Sequence, residues 1–334
     1  MPEKQIQTET SETFFECSCA PPPLGEHSRN LVINLDGTSN QYGPKNTNVI
    51  ELYSHISVSK HQLKYYNSDI GTSAQPSWKS LSHYMQSLGN IVDLAIAWNF
   101  EKVLLGAYRW LSEHYKPGDR IFLFGFSRGA FQVRALAGMI EKVGLLYEGN
   151  EKQIPFAFEL YASVYGDERE KAAKHFKETF SVKNVHVHFI GVWDTVSSIG
   201  IFREKTLPLT DSCDHVCTFR HALALDECRV KFAPECIAGP SKKKFPANAK
   251  EVWFPGSHSD LNLESVPLLW MENEALMAGL HFSRVSINWK VHDLQESEPT
   301  VSLWGPWWPL ECLPFRWKAN SDSGHLSQCV SLPE

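Results

Sequence analysis

Arg120-Ile121-Phe122-Leu123-Phe124-Gly125-Phe126-Ser127-Arg128-Gly129-Ala130 is the stretch whose reading decides the fold. A short apolar run of this kind reads as a buried strand. It ends in Gly-x-Ser-x-Gly, with Gly125 and Gly129 flanking Ser127. A helical pattern follows at once, with Val133, Leu136, Ala137 and Ile140 on one face and Gly144 as the stop. Strand, sharp turn and helix in this order make a nucleophile elbow. The two glycines let the chain turn where a Cβ would clash, and the turn lifts the Ser127 hydroxyl out at the carboxyl end of a sheet. It also sets Ser127 beside a helix N-terminus, whose N–H groups hold developing negative charge.

Working outward, the first half of the chain alternates strand and helix. Residues 30–35 are a buried strand that runs into the polar loop Asp36-Gly37-Thr38-Ser39-Asn40. Residues 46–57 read as a helix, 62–67 as a strand, 90–115 as a long amphipathic helix, and 116–119 as the turn that feeds the elbow strand. Continuous apolar strands between amphipathic helices argue for a parallel sheet covered on both faces. Beyond the elbow helix, residues 151–180 form a polar helical region that reads as an insertion. Residues 185–193 become a strand ending at Asp194, and residues 220–232 read as a charged helix. Residues 251–254 are a short strand running into Gly256-Ser257-His258-Ser259-Asp260, and 266–280 are a helix. The expected fold is α/β, α/β-hydrolase-like, with a mostly parallel central sheet, helices on both faces and helical insertions over the carboxyl end. Residues 1–28, polar and ending near Pro21-Pro22-Pro23, read as a loosely attached arm. Residues 29–320 are expected to be a single domain and 321–334 a tail.

Composition narrows the function. The chain has 334 residues, 43% of them hydrophobic, enough for a sizeable core. Its formal net charge is −6, which offers no basic field for nucleic acid. No apolar run approaches the roughly 20 residues that span a bilayer, and the start lacks a signal-peptide pattern. The 8 cysteines have no framework spacing; Cys17 with Cys19, or Cys213 with Cys217, lack a second pair at zinc-site distance. A soluble, cytoplasmic protein with free thiols is expected, with no metal and no cofactor.

In open parallel sheets, functional side chains sit just past the carboxyl ends of strands. Three such ends carry Ser127, Asp194 and His258, in the chain order of α/β-hydrolases. A serine hydroxyl is a poor nucleophile until a base takes its proton. His258 is that base, and Asp194 orients its imidazole. Asp226 and Asp260 are rival acids; Asp260 stands two residues from His258 and is read instead as shaping the turn. Of the two oxyanion donors, one is expected from the N–H of Arg128 and the other from Gly37 or Thr38. Asp36 is expected to tie that loop to backbone N–H groups. Asn34-Leu35-Asp36-Gly37-Thr38 also resembles the Asp-x-Asp-Gly-Thr motif of haloacid-dehalogenase-type phosphatases. There the first aspartate is the nucleophile, a role closed to Asn34.

Four segments together resemble a known family: residues 35–40, 125–130, 191–196 and 253–260, in this order. They look like the catalytic domain of the type VI secretion phospholipase effectors, a domain with fungal and bacterial members. Residues 220–229, Arg-His-Ala-Leu-Ala-Leu-Asp-Glu-Cys-Arg, and 270–275 fit the same pattern. The resemblance covers about residues 30–318. It implies an α/β-hydrolase with Ser127, Asp194 and His258 as triad, acting on a small-molecule or lipid ester. The family usually carries glycines after the His-Ser-Asp turn, where this chain has Leu261-Asn262-Leu263-Glu264. That departure keeps a second expectation open: a hydrolase scaffold with weak or lost catalysis that acts as a binding protein. Trp304-Gly305-Pro306-Trp307-Trp308-Pro309 reads either as a lid or peripheral membrane contact, or as an edge cover packed on the sheet, which is the favoured reading.

Overall fold

The structure is a computed structural model. It describes residues 28–37, 46–68, 85–163, 166–196, 207–229, 232, 234–237, 248–261 and 265–283. The expected arm and tail, the Trp-rich segment and Thr38 lie outside the described residues.

The elbow strand, Arg120–Phe126 (β3), is one of six parallel strands in a single sheet. Before it come β1 (Asn30–Asp36), helix α1 (Asn48–His55), β2 (Gln62–Ser68) and the long helix α2 (Met85–His114). After it come α3 (Arg128–Val143), a short strand β4 (Leu145–Leu146), helices α4 (Ile154–Ala162) and α5 (Asp167–Phe180), and β5 (Ser181–Val182), which pairs antiparallel with β4. The chain then adds β6 (Val187–Trp193), β7 (Val216–Ala224) and β8 (Ala249–Phe254), followed by α6 (His258–Leu261) and α7 (Ser265–Met277). The sheet order is β2-β1-β3-β6-β7-β8. The chain winds one way from β1 to β2 and the other way from β3 onward, so the order reverses between β1 and β3. Open parallel sheets bind ligands at this kind of switch point.

The period-two alternation of strand side chains divides the core into two layers. Leu31, Ile33, Leu35, Ile121 and Leu123 face α2 and α3, with Leu104, Ala107, Leu111, Val133, Leu136 and Ile140. Val32, Phe122, Phe124 and Phe126 face α1 and α7, with Val49, Leu52, Met271 and Ala275. Both faces are therefore covered, which explains why the strands read as continuous apolar runs. The helical region at 151–180 folds as α4 and α5. It docks on the outer side of α3 toward its C-terminal end, where Lys142 Nζ donates to the carbonyls of Tyr161 (3.0 Å) and Ser163 (2.7 Å).

One sequence expectation fails. Residues 220–224 are not helical but belong to β7. The charges that suggested a helix, Asp226, Glu227 and Arg229, lie just past the strand, where Glu227 and Arg229 pair with each other; within the strand, Arg220 pairs with Glu274 and His221 meets Glu251. Polar side chains that find partners on other elements interrupt the apolar run by which a central strand is otherwise recognised. Among the described residues, no helix is long and apolar enough to cross a membrane.

Candidate active site

Register brings the strand ends level. Leu35 pairs with Gly125, Phe126 with Trp193, Trp193 with Ala222, and Ala224 with Phe254. The turns that carry Asp36, Ser127, Asp194 and His258 therefore open on one edge of the sheet.

Ser127 sits between β3 and α3 with φ 56° and ψ −121°, a backbone conformation that side-chain-bearing residues rarely adopt. The flanking glycines make the turn sterically possible. A Cβ on Gly125 would lie 2.5 Å from the carbonyl oxygen of Gly129, and one on Gly129 would lie 2.2 Å from that of Leu35. The turn is held by its neighbour strand: the N–H of Ser127 donates to the carbonyl of Trp193 at 3.0 Å, and the N–H of Val196 donates to that of Ser127 at 3.3 Å.

Asp194 follows β6, is fully buried and also has positive φ, 43°. Its N–H donates to Ala222 O at 2.8 Å, and its Oδ1 accepts the N–H of Ala224 at 3.1 Å. Its other oxygen, Oδ2, lies 2.5 Å from His258 Nδ1. On the far side of the ring, His258 Nε2 lies 3.0 Å from Ser127 Oγ. The structure thus brings the three sequence-selected side chains into one hydrogen-bonded chain, with both His258 and Asp194 buried.

The rival acids are placed elsewhere. Asp260 Oδ2 accepts the N–H and the hydroxyl of Ser257, each at 2.9 Å, and so shapes the turn. Asp226 Oδ2 accepts the N–H of Gly256 at 2.6 Å, which fixes that glycine at φ 108°. Asp36 ties its loop as expected. Its Oδ1 accepts the N–H of Gly37 at 2.7 Å, and its Oδ2 accepts from Thr47 Oγ1 (2.6 Å) and Tyr66 (3.2 Å). Burial, then the nearby Asp36 charge, pushes the Tyr66 phenol up, so it remains a donor. This geometry corrects one expectation. The Gly37 N–H is taken by the Asp36 carboxylate and is not directed at an oxyanion. Arg128 stands first in α3.

Several residues around His258 were not legible as site residues. The backbone N–H of His258 donates to Glu227 Oε2 at 3.2 Å. Glu227 is clasped by Arg229 through Nε (2.8 Å) and Nη2 (2.7 Å). Burial pushes the Glu227 carboxyl up, but the Arg229 hydrogen bonds outweigh it and hold the group below the ordinary carboxylate range. The Arg229 guanidinium lies 3.9 Å from the centre of the Phe232 ring, which itself stands 5.0 Å from the His258 ring. Phe126 flanks the imidazole at 4.7 Å. The Glu-x-Arg spacing of residues 227–229, within a block already matched to the family, was the available signal. Leu261, where the family usually begins its glycines, is buried in α6, and its carbonyl accepts from Asn48 Nδ2 at 2.9 Å.

Among the described residues, Cys213 and Cys236 are free thiols. Burial pushes Cys213 and Cys236 up to about 12, which leaves them protonated and unreactive.

Comparison with known proteins matches residues 29–282 to the family described as T6SS, Phospholipase effector Tle1-like, catalytic domain. A relative in Saccharomyces cerevisiae, described as Uncharacterized protein YEL023C, is 35% identical over 233 residues, covering 66% of this chain and 34% of the relative. The chain thus spans about a third of that relative's length. A solved structure of an uncharacterized protein from Pseudomonas aeruginosa superposes with TM-score 0.41 at 18% identity, covering 77% of this chain and 46% of that one. The Tle1 effector bound to the VgrG spike from the type 6 secretion system superposes with TM-score 0.40 at 19% identity, covering 72% and 52%.

Proposed function

Because the chain belongs to the type VI secretion phospholipase effector Tle1-like catalytic domain family, we propose that it is a serine hydrolase cleaving a carboxylic ester of a lipid or phospholipid. The observation that carries this reading is the chain of contacts Ser127 Oγ to His258 Nε2, 3.0 Å, and His258 Nδ1 to Asp194 Oδ2, 2.5 Å.

Each role follows from what its atoms do. His258 Nε2 accepts the Ser127 proton as Oγ attacks the ester carbonyl carbon. The carbonyl electrons move onto oxygen, and the Arg128 N–H at the start of α3, with a donor from the loop after β1, holds that charge. Thr38 is the loop's remaining candidate. Collapse of the tetrahedral intermediate expels the alcohol, which takes the proton from His258, and leaves the acyl group on Ser127. Water then attacks with His258 again as base, releasing the acid and regenerating the serine. Asp194 keeps Nδ1 protonated, so that Nε2 is the accepting nitrogen, and offsets the imidazolium charge. The chemistry runs entirely on these side chains and backbone donors.

A hydrolase scaffold without catalysis is the second reading, and it rests on the missing glycines. Leu261 fits into the core while His258 keeps its contacts with both partners, and this favours the enzyme. Labelling with a fluorophosphonate probe separates the two. The hydrolase reading expects covalent labelling of the wild type that vanishes in Ser127→Ala. A folded wild type that resists the probe and cleaves no ester or phospholipid would sink it.

A further inference from the structure

Behind Asp194 stands a second histidine–carboxylate pair. His221, on β7, is fully buried. Its Nδ1 lies 3.0 Å from Glu251 Oε1, on β8. Its Nε2 accepts the backbone N–H of Thr195 at 3.2 Å, and the Thr195 hydroxyl lies 3.2 Å from the same nitrogen. An N–H aimed at Nε2 requires that nitrogen to be bare, so the ring proton sits on Nδ1 and is donated to Glu251. Glu251 Oε1 also accepts the N–H of Ile237 at 2.9 Å, which holds the carboxylate in place. The other side of the Thr195 peptide is gripped as well. Its carbonyl accepts the N–H of Glu235 at 2.8 Å, and the Glu235 carbonyl accepts from Arg134 Nη1 at 2.5 Å.

Thr195 is the residue after Asp194, whose φ of 43° is a conformation that a side-chain-bearing residue keeps only when its surroundings impose it. We infer that His221 and Glu251 are positioning residues: the pair fixes the Thr195 peptide, and through it the orientation in which the Asp194 carboxylate meets His258. This rests on the reading of Ser127 as nucleophile. The groups facing His221 are Glu251 from β8, Arg134 from α3, Asp194 and Thr195 from the turn after β6, and Phe219 from its own strand. Glu251 alone accepts its proton, so removal of that acceptor releases the tautomer. The ring is then free to carry its proton on Nε2, which would oppose the Thr195 N–H and push the turn away.

The test is the rate of fluorophosphonate labelling of Ser127 as a function of pH, in the wild type, Glu251→Ala and Glu251→Gln, each shown to be folded by thermal unfolding. A misplacement of about 1 Å in a catalytic group costs on the order of a hundredfold, so Glu251→Ala is expected to label at least tenfold more slowly. Its pH midpoint is expected to differ from that of the wild type, because the geometry between the reacting groups has changed. Glu251→Gln keeps an acceptor oxygen for Nδ1–H and for Ile237, and is expected to restore most of the rate and the midpoint. Loss of folded protein alone would scale the profile without moving the midpoint. If the wild type labels and Glu251→Ala labels with unchanged rate and midpoint, the positioning role is overturned while Ser127 stands. If the wild type does not label, both fall.

Discussion

The Nδ1 of His258 lies 2.5 Å from Oδ2 of Asp194, a residue 64 positions earlier in the chain and wholly closed to solvent. A carboxylate in this position fixes which ring nitrogen is protonated. Asp194→Asn keeps the shape but reverses the donor, since an amide NH2 facing Nδ1 favours the Nε2–H tautomer. Esterase or labelling rates are expected to fall on the order of ten-thousandfold, whereas Ser127→Ala or His258→Ala costs on the order of a millionfold. Steady-state hydrolysis of an activated ester by the three variants measures this ranking.

The elbow carries opposite predictions for two small substitutions. Ser127 is held at φ 56°, a strain of about 1–3 kcal/mol for a residue with a Cβ. Ser127→Gly relieves it and is expected to stabilise the fold by on the order of 1 kcal/mol, after the larger unfolded-state entropy of glycine is deducted. Gly129→Ala places a methyl 2.2 Å from the Leu35 carbonyl oxygen, backbone that has nowhere to go. It is expected to destabilise by about 3 kcal/mol or more. Urea midpoints of the two variants against wild type decide both.

Glu227 is expected to matter more for stability than its distance from the reacting atoms suggests. Its side chain is 2% exposed and that of Arg229 is 11% exposed. Truncation of one partner of such a pair removes the hydrogen-bonded counter-charge of the other, which costs up to about 3–5 kcal/mol when the pair is fully buried and less when it is part-buried. Glu227→Ala and Arg229→Ala are each expected to cost about 1–3 kcal/mol. The double variant should cost less than the sum of the two, since the mutual interaction is lost once and not twice. Chemical denaturation of the three forms a closed cycle that measures the coupling.

Acid should weaken the fold in two steps. Burial lowers His221 from its ordinary 6.5, with Glu251 pulling in the other direction. The unfolded chain therefore binds a proton there that the native state refuses, and stability rises with pH across that window. It is fully present above 6.5 and is lost as pH falls from 6.5 toward the lowered native value. Glu227 acts lower, with the same sign. Its native carboxyl titrates below the ordinary 4.5, so its contribution is present above that value and is lost as pH falls through the native one. Replacement of His221 by Gln is expected to flatten the upper step and leave the lower one. Thermal unfolding as a function of pH checks both.

Much of this architecture is readable from residue order alone. The strand, Gly-x-Ser-x-Gly turn and helix around Ser127 announce the parallel sheet, and the positions of Asp194 and His258 after apolar runs announce where they open. The failures share a cause. β7 hides because the polar side chains of Arg220 and His221 find partners that lie 54 and 30 residues away, Glu274 and Glu251, and no local pattern shows such pairing. The engagement of the Gly37 N–H is hidden likewise. It depends on the rotamer of Asp36, which Thr47 and Tyr66 set from other elements. Glu227 was invisible as a support of His258 because its acceptor meets a backbone N–H, a contact with no side-chain signature.

Among the described residues, the last strand of the sheet to be made is the one that delivers His258. Ser127 precedes His258 by 131 residues, and between them the chain must complete β6, β7 and β8 in parallel register. Parallel pairings of this separation form late, since loop closure comes before the contacts that reward it. A ribosome-bound chain that has exposed the elbow therefore holds a serine with no base beside it, as inert as any surface hydroxyl. Any reactivity at Ser127 that depends on His258 therefore waits until the sheet has closed out to β8, and an incomplete chain carries the elbow without it.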